Sequence, residues 1–379
     1  MLHFDSDYME GAHPAIIERL AQTNFDQTPG YGTDPVCESA RARICYACQT
    51  PDAAVHFLVG GTQANAAVID QLLNPWEGVI AADTGHINGH EAGAVEACGH
   101  KILQIPHRNG KLDAQDVRAF CQAWAEGESR EHVVAPGVVY ISQATEYGTL
   151  YTLGELQALR AVCDEFDMRL FIDGARLGYA LAALEGQLTL PQLAEVADAF
   201  YIGGTKVGAL FGEAVVFTKP ELAGHFFTLM KKHGALLAKG RMLGLQFDVL
   251  FEDAEERDGN PAARADASQR NADVSQHGAD TAGSPLVEAA RTRYLACGRH
   301  AVKLARKLAE GFEGAGYELA IDSPTNQQFV AIDDRTCERL REHATFEVWE
   351  RRADGKLVVR FVTSWATRPE AVDELLALL

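Results

Sequence analysis

Leu170-Phe-Ile-Asp173-Gly-Ala-Arg176 and, after a helix-like stretch, Phe200-Tyr-Ile-Gly-Gly-Thr205-Lys206-Val-Gly208 decide how this chain is read. Each begins as a short apolar run, as strands buried on both faces do. The first run ends in an acid, and the second in a lysine among glycines and a threonine. In an α/β sheet ligands sit at the carboxyl ends of the strands. Asp173 and Lys206 are therefore expected at one rim. A surface lysine and a turn aspartate that never meet would leave the surrounding glycines without a purpose.

A lone amine facing a lone carboxylate is what pyridoxal 5'-phosphate requires. The lysine forms the Schiff base, and the acid keeps the pyridine nitrogen protonated so that the ring can accept electrons. Gly60-Gly61-Thr62-Gln63 sits where the strand His56-Phe-Leu-Val59 feeds an apolar helix. A helix N-terminus offers unpaired N–H groups and the positive end of a dipole, so this turn reads as a phosphate cradle. Arg176, three residues past Asp173, can reach the cofactor's phenolic oxygen or a substrate carboxylate with its planar fork.

The pattern outward from these motifs is alternating strand and helix, from the helix Val36–Cys48 to the strand Ala199–Ile202. Asp34 and Pro35 are suited to cap the first of these helices. Buried strands separated by amphipathic helices predict a mostly parallel sheet covered on both faces. Glu213–Thr218 adds a strand that can run antiparallel. A long helix, Leu286–Gly314, and four short strands up to Leu357–Val362 predict a small α+β C-terminal domain. The domains expected are an N-terminal arm and helix (1–35), a large cofactor-binding domain (36–251), a polar, flexible insertion (252–285) and the C-terminal domain (286–379). The insertion has Val274 as its only large aliphatic or aromatic residue between positions 254 and 285, too little apolar surface to offset the entropy of ordering.

With 34 basic and 53 acidic residues the net charge is −19. That disfavours nucleic acid and anionic membranes as partners and suits small molecules. No apolar run reaches membrane-spanning length, and the first residues lack a signal-peptide pattern, so the cytoplasm is expected. The eight cysteines have no framework spacing, and Cys45-Tyr-Ala-Cys48 lacks the second pair a zinc site needs. They are expected as reduced thiols. His86, His90 and Glu91 have helical spacing for a metal pair but no further ligands, so no metal is expected.

From Ser6-Asp7 and Tyr31-Gly-Thr-Asp34, through Asp-Gly-Ala-Arg176 and Thr205-Lys206, to Arg360-Phe-Val-Thr363, the chain resembles the threonine aldolase and β-eliminating lyase family of fold-type I pyridoxal-phosphate enzymes. The resemblance covers most of the chain and points to the low-specificity L-threonine aldolase-like branch. It implies cleavage of β-hydroxy-α-amino acids to glycine and an aldehyde. β-Elimination, transamination or cofactor binding without turnover are the alternatives. It places Gly61, Thr62 and Gln63 at the phosphate and His86 on the cofactor ring, with Thr205 and Arg241 also at the cofactor. Arg360 and Ser6 would clamp the substrate carboxylate. The stretch from Lys231 to Arg241, together with Tyr31, would reach a neighbouring subunit's site in a homodimer or homotetramer. One departure stands out: many relatives carry a histidine for the substrate hydroxyl where this chain has Thr145 and Glu146. Glu146, or a water held by the phosphate or by His86, is then the candidate base.

Overall fold

A computed structural model describes residues 1–253 and 291–379. In chain order, β1 (Leu2–His3) is followed by α1 (Pro14–Gln22), α2 (Pro35–Cys48), β2 (Ala54–Leu58), α3 (Gly61–Leu72) and β3 (Glu77–Ala82). Next come α4 (His86–Gly89), α5 (Ala94–Ala97), β4 (Ile102–Ile105), α6 (Ala114–Ala125), β5 (Ala135–Ser142), α7 (Leu153–Glu165) and β6 (Arg169–Asp173). The large sheet is completed through α8 (Leu177–Ala183), α9 (Leu190–Val196), β7 (Ala199–Gly203) and β8 (Glu213–Phe217), and α10 (Phe226–Lys232) and α11 (Arg241–Leu250) follow. The remaining elements are α12 (Arg293–Gly314), β9 (Glu318–Ile321), β10 (Gln327–Ile332), α13 (Asp334–Arg341), β11 (Ala344–Thr345), β12 (Glu347–Arg351), β13 (Leu357–Val362) and α14 (Pro369–Leu376).

Seven strands form one sheet in the order β2-β8-β7-β6-β5-β3-β4. Only β8 is reversed, pairing antiparallel with both β7 and β2. Alternation along each strand supplies two cores, one per face. Val139, Ile141, Leu170 and Ile172 pack on one side, while Val138, Tyr140 and Phe171 pack on the other. Local signals fix the helices between them. Asp34 caps α2 by accepting from the Cys37 N–H at 2.9 Å, with Pro35 in the first turn. Thr152 and Glu155 form a reciprocal capping box on α7. Gly174 lets the turn after β6 lie against β7, since a Cβ there would fall 1.7 Å from the Tyr201 carbonyl oxygen.

The second sheet, β12-β13-β10-β9, is antiparallel and packs on α12 and α14 around a third core that includes Phe312, Phe329's neighbour Val330 and Phe361. The N-terminal arm joins this unit: β1 pairs in parallel with β11, and Phe4 is buried in the same core. Three sequence expectations change. The helix placed after Gly89 is two single turns, the first starting at His86 itself. The strand expected at Phe346–Trp349 starts one residue later and runs two residues further, as Glu347–Arg351 (β12), which pairs with β13. Most of the expected insertion, 254–285, lies outside the described residues, as do residues 286–290 of the helix expected from Leu286. Glu252 and Asp253 belong to the fold: Glu252 pairs with Arg19 at 2.8 Å and Arg293 at 2.9 Å, and Asp253 bridges Thr292. The cysteines of the described residues are all free thiols, with Cys48 buried and Cys45 half-buried.

Candidate active site

The parallel strands deliver their ends to one edge of the large sheet. Ser142 ends β5 and is in register with Asp173, the last residue of β6. His86 follows β3, Gly61 opens the helix after β2, and Lys206 lies three residues past the end of β7. Gly61, Thr62, His86, Ser142, Ala144, Glu146, Asp173, Ala175, Arg176, Tyr201 and Lys206 line one cavity of about 110 Å³.

Asp173 is buried and accepts four hydrogen bonds. Tyr140 Oη (2.6 Å) and Asn65 Nδ2 (2.9 Å) donate to Oδ2, and Tyr201 Oη (2.5 Å) and the Ala175 N–H (2.9 Å) donate to Oδ1. Burial alone would raise its pKa, but His86 and these donors outweigh it and hold the carboxyl below its ordinary value. Lys206 carries the opposite shift. Burial and the nearby Arg176 guanidinium lower its pKa, so its amine sheds a proton more readily than a surface lysine. No hydrogen bond ties its Nζ among the described residues, and the ammonium lies over the Tyr8 ring at 5.8 Å.

The N-terminus of α3 has no side-chain cap, so its first N–H groups open toward Gly61 and Thr62 at the cavity wall. Gly61 is the residue that fits there, because a Cβ would sit 3.0 Å from Tyr201 Oη. Gln63 is turned away, its amide donating to the His233 carbonyl at 3.4 Å. Thr205 buttresses the lysine turn from behind, donating to Glu213 Oε1 at 2.8 Å and accepting from the Gly212 N–H at 3.0 Å.

His86 lines the cavity with its Nδ1 held 2.7 Å from Glu91 Oε1. Burial would favour the neutral ring, but Glu91, Asp173 and Glu146 together raise its pKa. Glu146 accepts from Ser142 Oγ at 2.9 Å, and burial with the nearby Asp173 charge pushes its pKa up. Glu91 contacts His86 and Asn65 rather than joining His90, whose ring is tilted against His86 at 5.6 Å.

Arg176 is already engaged, donating from Nε (2.8 Å) and Nη2 (3.0 Å) to the two oxygens of buried Asp7. Asp7 also accepts from Asn326 Nδ2 at 2.9 Å. Arg360 is the fourth of six residues in β13, inside the strand expected at Leu357–Val362. It pairs with Glu347, donates to Gln327 Oε1 at 2.9 Å and lies over the Trp349 ring at 5.2 Å. Both arginines thus have protein partners; burial and the Arg176 charge hold the Arg360 pKa below its ordinary value, and Arg360 is not part of this cavity's lining. Ser6, half-buried, adjoins the Asp7 contact. Tyr31 and Arg241 are absent from this cavity's lining. Tyr31 is 44% exposed and lies under Lys231 Nζ, whereas Arg241 is buried with its Nη1 unpaired among the described residues.

Several site residues escaped the sequence reading: Asp7, Asn65, Tyr140, Tyr201 and Glu213. Tyr140 and Tyr201 were legible in principle, as hydroxyl-bearing residues inside otherwise apolar strands near the acid and the lysine. Glu213 is buried, and its pKa rises to about 8 because desolvation outweighs the attraction of Lys206.

A single reversed strand in an otherwise parallel seven-stranded sheet, with acid, lysine and uncapped helix at one edge, is the architecture of fold-type I enzymes, the class built around pyridoxal phosphate. The aspartate aminotransferase of Thermus thermophilus shares this fold, with a TM-score of 0.64 at 15% identity over 100% of this chain and 90% of that one. The chain belongs to the beta-eliminating lyase family, which it matches over residues 3–335, and is therefore a lyase-family enzyme. It is similar to the threonine aldolase of Leishmania major, with 37% identity, a TM-score of 0.86, and coverage of 100% of this chain and 98% of that one. It is also similar to the low-specificity L-threonine aldolase of a Pseudomonas species, at 29% identity over 99% of this chain and 96% of the relative. The Pseudomonas aeruginosa enzyme of the same name is likewise 29% identical, over 98% of this chain and 95% of that one.

Proposed function

We propose that this protein is a pyridoxal-phosphate-dependent carbon–carbon lyase that cleaves β-hydroxy-α-amino acids of the threonine type to glycine and an aldehyde. The observation that carries the reading is one cavity lined by an unpaired lysine, a buried charged aspartate and an uncapped helix N-terminus. Those groups match the amine, pyridine-nitrogen and phosphate requirements of the cofactor. Arg241, buried with an unpaired nitrogen, adds a cation suited to an anionic group.

When bound, pyridoxal phosphate supplies an aldehyde for the amine to join and a ring that takes up the electron pair released at Cα. The residues do the rest. Lys206, with its lowered pKa, offers the neutral amine that carbonyl chemistry needs. Asp173 stays charged and is oriented by four donors, so it can hold a proton on a ring nitrogen beside it. His86 supplies a flat, polarisable face. Arg176 and Arg360 bring two guanidiniums toward the crevice, where a substrate carboxylate competes with Asp7 and Glu347 for their N–H groups. Glu146 and His86 both line the cavity and both have raised pKa values, which suits either for taking the β-hydroxyl proton near neutrality.

A homodimer or homotetramer, with Tyr31 and Arg241 serving a neighbouring subunit, accounts for their position outside this cavity. The exposed Tyr31 and Phe227 (47%) support that reading. Among the described residues no helix is long and apolar enough to cross a membrane. A small amino acid as substrate and a cytoplasmic location complete the proposal. The test is product analysis with L-threonine: glycine and acetaldehyde in equal amounts support it. Ammonia with a keto acid would instead assign β-elimination or transamination.

A further inference from the structure

Behind His86 lies a hydrogen-bonded chain that the proposed chemistry does not use. Glu91, in the turn after α4, has a side chain with no exposed surface. Its Oε1 takes two contacts, from His86 Nδ1 at 2.7 Å and Asn65 Nδ2 at 2.7 Å. The same Asn65 nitrogen donates to Asp173 Oδ2 at 2.9 Å. One amide group therefore spends both its protons tying two buried carboxylates together. Turning the amide over would aim its oxygen at two anions, so the orientation is fixed by its neighbours. Glu91 Oε2 and Asn65 Oδ1 have no donor among the described residues.

A buried carboxylate persists as an anion only beside a cation or strong donors. Among its hydrogen-bond partners only His86 can carry positive charge. With Nδ1 committed to Glu91, Nε2 is left as the ring nitrogen free to face the cavity. The arrangement is that of a carboxylate orienting an imidazole and fixing which nitrogen bears the proton.

We propose that Glu91 and Asn65 are positioning residues for the lyase reaction, locking the His86 ring through Nδ1 and turning Nε2 into the cavity. The proposal rests on the functional reading above. Glu91 touches no cavity surface and acts through His86; Asn65 acts by holding Glu91 in register with Asp173. The charged groups that face His86 are Glu91 from its own turn, Asp173 from the end of β6, Glu146 from the loop after β5, and Lys206 and Arg176 across the cavity, with His90 alongside.

The test compares Glu91→Gln, which keeps shape and removes charge, with Glu91→Asp, which keeps charge and shortens the arm. In holoenzyme labelled at histidine Cε1, His86 is followed by NMR as pH is varied, with His86→Gln as the assignment control. Loss of the opposing charge is expected to move the His86 titration in Glu91→Gln toward acid by roughly one unit or more. The limb of the kcat/KM pH profile that follows His86 should move the same way. In that variant kcat should fall on the order of 100-fold, with KM little changed, and Glu91→Asp should restore most of the titration shift. A titration unchanged in Glu91→Gln, or identical in the two variants, overturns the proposal. Failure of the functional reading is separately visible: wild type would then release no glycine from threonine, while the His86 titration still reports on Glu91.

Discussion

Replacing Asp173 with Asn isolates the charge at the centre of the site from its shape. Each carboxylate oxygen now accepts two hydrogen bonds: Tyr140 and Asn65 on Oδ2, Tyr201 and the Ala175 N–H on Oδ1. An amide must place its NH2 where one of those oxygens was, so two donors lose their acceptor in either orientation. Each buried, unsatisfied donor costs about 1–3 kcal/mol, giving a loss of about 2–6 kcal/mol. The lower end applies if the NH2 replaces Oδ2, because the Tyr140 hydroxyl can then swing toward Ser142 Oγ, 3.4 Å away. Catalysis should suffer as well. An amide cannot hold a proton on a ring nitrogen, and loss of one preorganised electrostatic partner costs about 10²–10³ in kcat. Thermal unfolding and glycine release from threonine, measured on both proteins, give the two numbers. The pH dependence adds a signature. The Asp173 pKa is depressed in the fold, so its stabilisation is present above the unfolded carboxylate value and is lost as pH falls through the folded one. The Asn variant lacks that loss. Near-normal turnover with cofactor bound would refute the role given to the charge.

Lys206→Ala should abolish any borohydride-reducible link between protein and cofactor, and mass spectrometry of the reduced protein checks it; a persistent link would point to another amine. Arg360→Leu should raise KM for threonine far more than it weakens cofactor binding, read by steady-state kinetics beside a cofactor titration; unchanged kinetics would reduce Arg360 to a partner of Glu347. Glu213→Gln should be less sensitive to alkali than wild type. The Glu213 pKa is raised to about 8, so the folded state binds more protons than the unfolded one and stability falls as pH rises from the ordinary glutamate value through 8. Melting temperature against pH tests this, and parallel curves would count against it. Excising residues 254–284 should leave fold and cofactor binding intact, because Asp253 and Thr292 already meet in a bridge; loss of the folded protein on circular dichroism would show otherwise.

The sheet was legible because buried parallel strands are written as short apolar runs, and the acid and lysine stand out where those runs stop. Asp34 and Pro35 are local signals that act within a few residues, so their helix could be placed closely. What could not be read is pairing across the chain. Arg176 meets Asp7 from 169 residues away, and Asn65 meets Asp173 across 108. No periodicity encodes such contacts. Arg360 sits inside an apolar strand because partners distant in sequence, Gln327 among them, satisfy it there together with Glu347 and Trp349. The spacing of Glu91 to His86 and His90 is visible in the sequence and suggests a metal pair, whereas its burial beside Asn65 comes only with the fold.

The N-terminal arm is held at two points. Its first residues are a strand of the small sheet's neighbourhood through β11, and Asp7, a few residues on, grips Arg176 on one side and Asn326 on the other. A tilt of the small unit against the large sheet would therefore bear on the Asp7–Arg176 pair through only a few residues of chain. A substrate carboxylate that takes Arg176 from Asp7 would release the arm from the large sheet, while Asn326 and β11 still hold it to the small unit. Occupancy of the crevice and the angle between the two units would then be one coupled coordinate, with Asp7 as the pivot through which each senses the other.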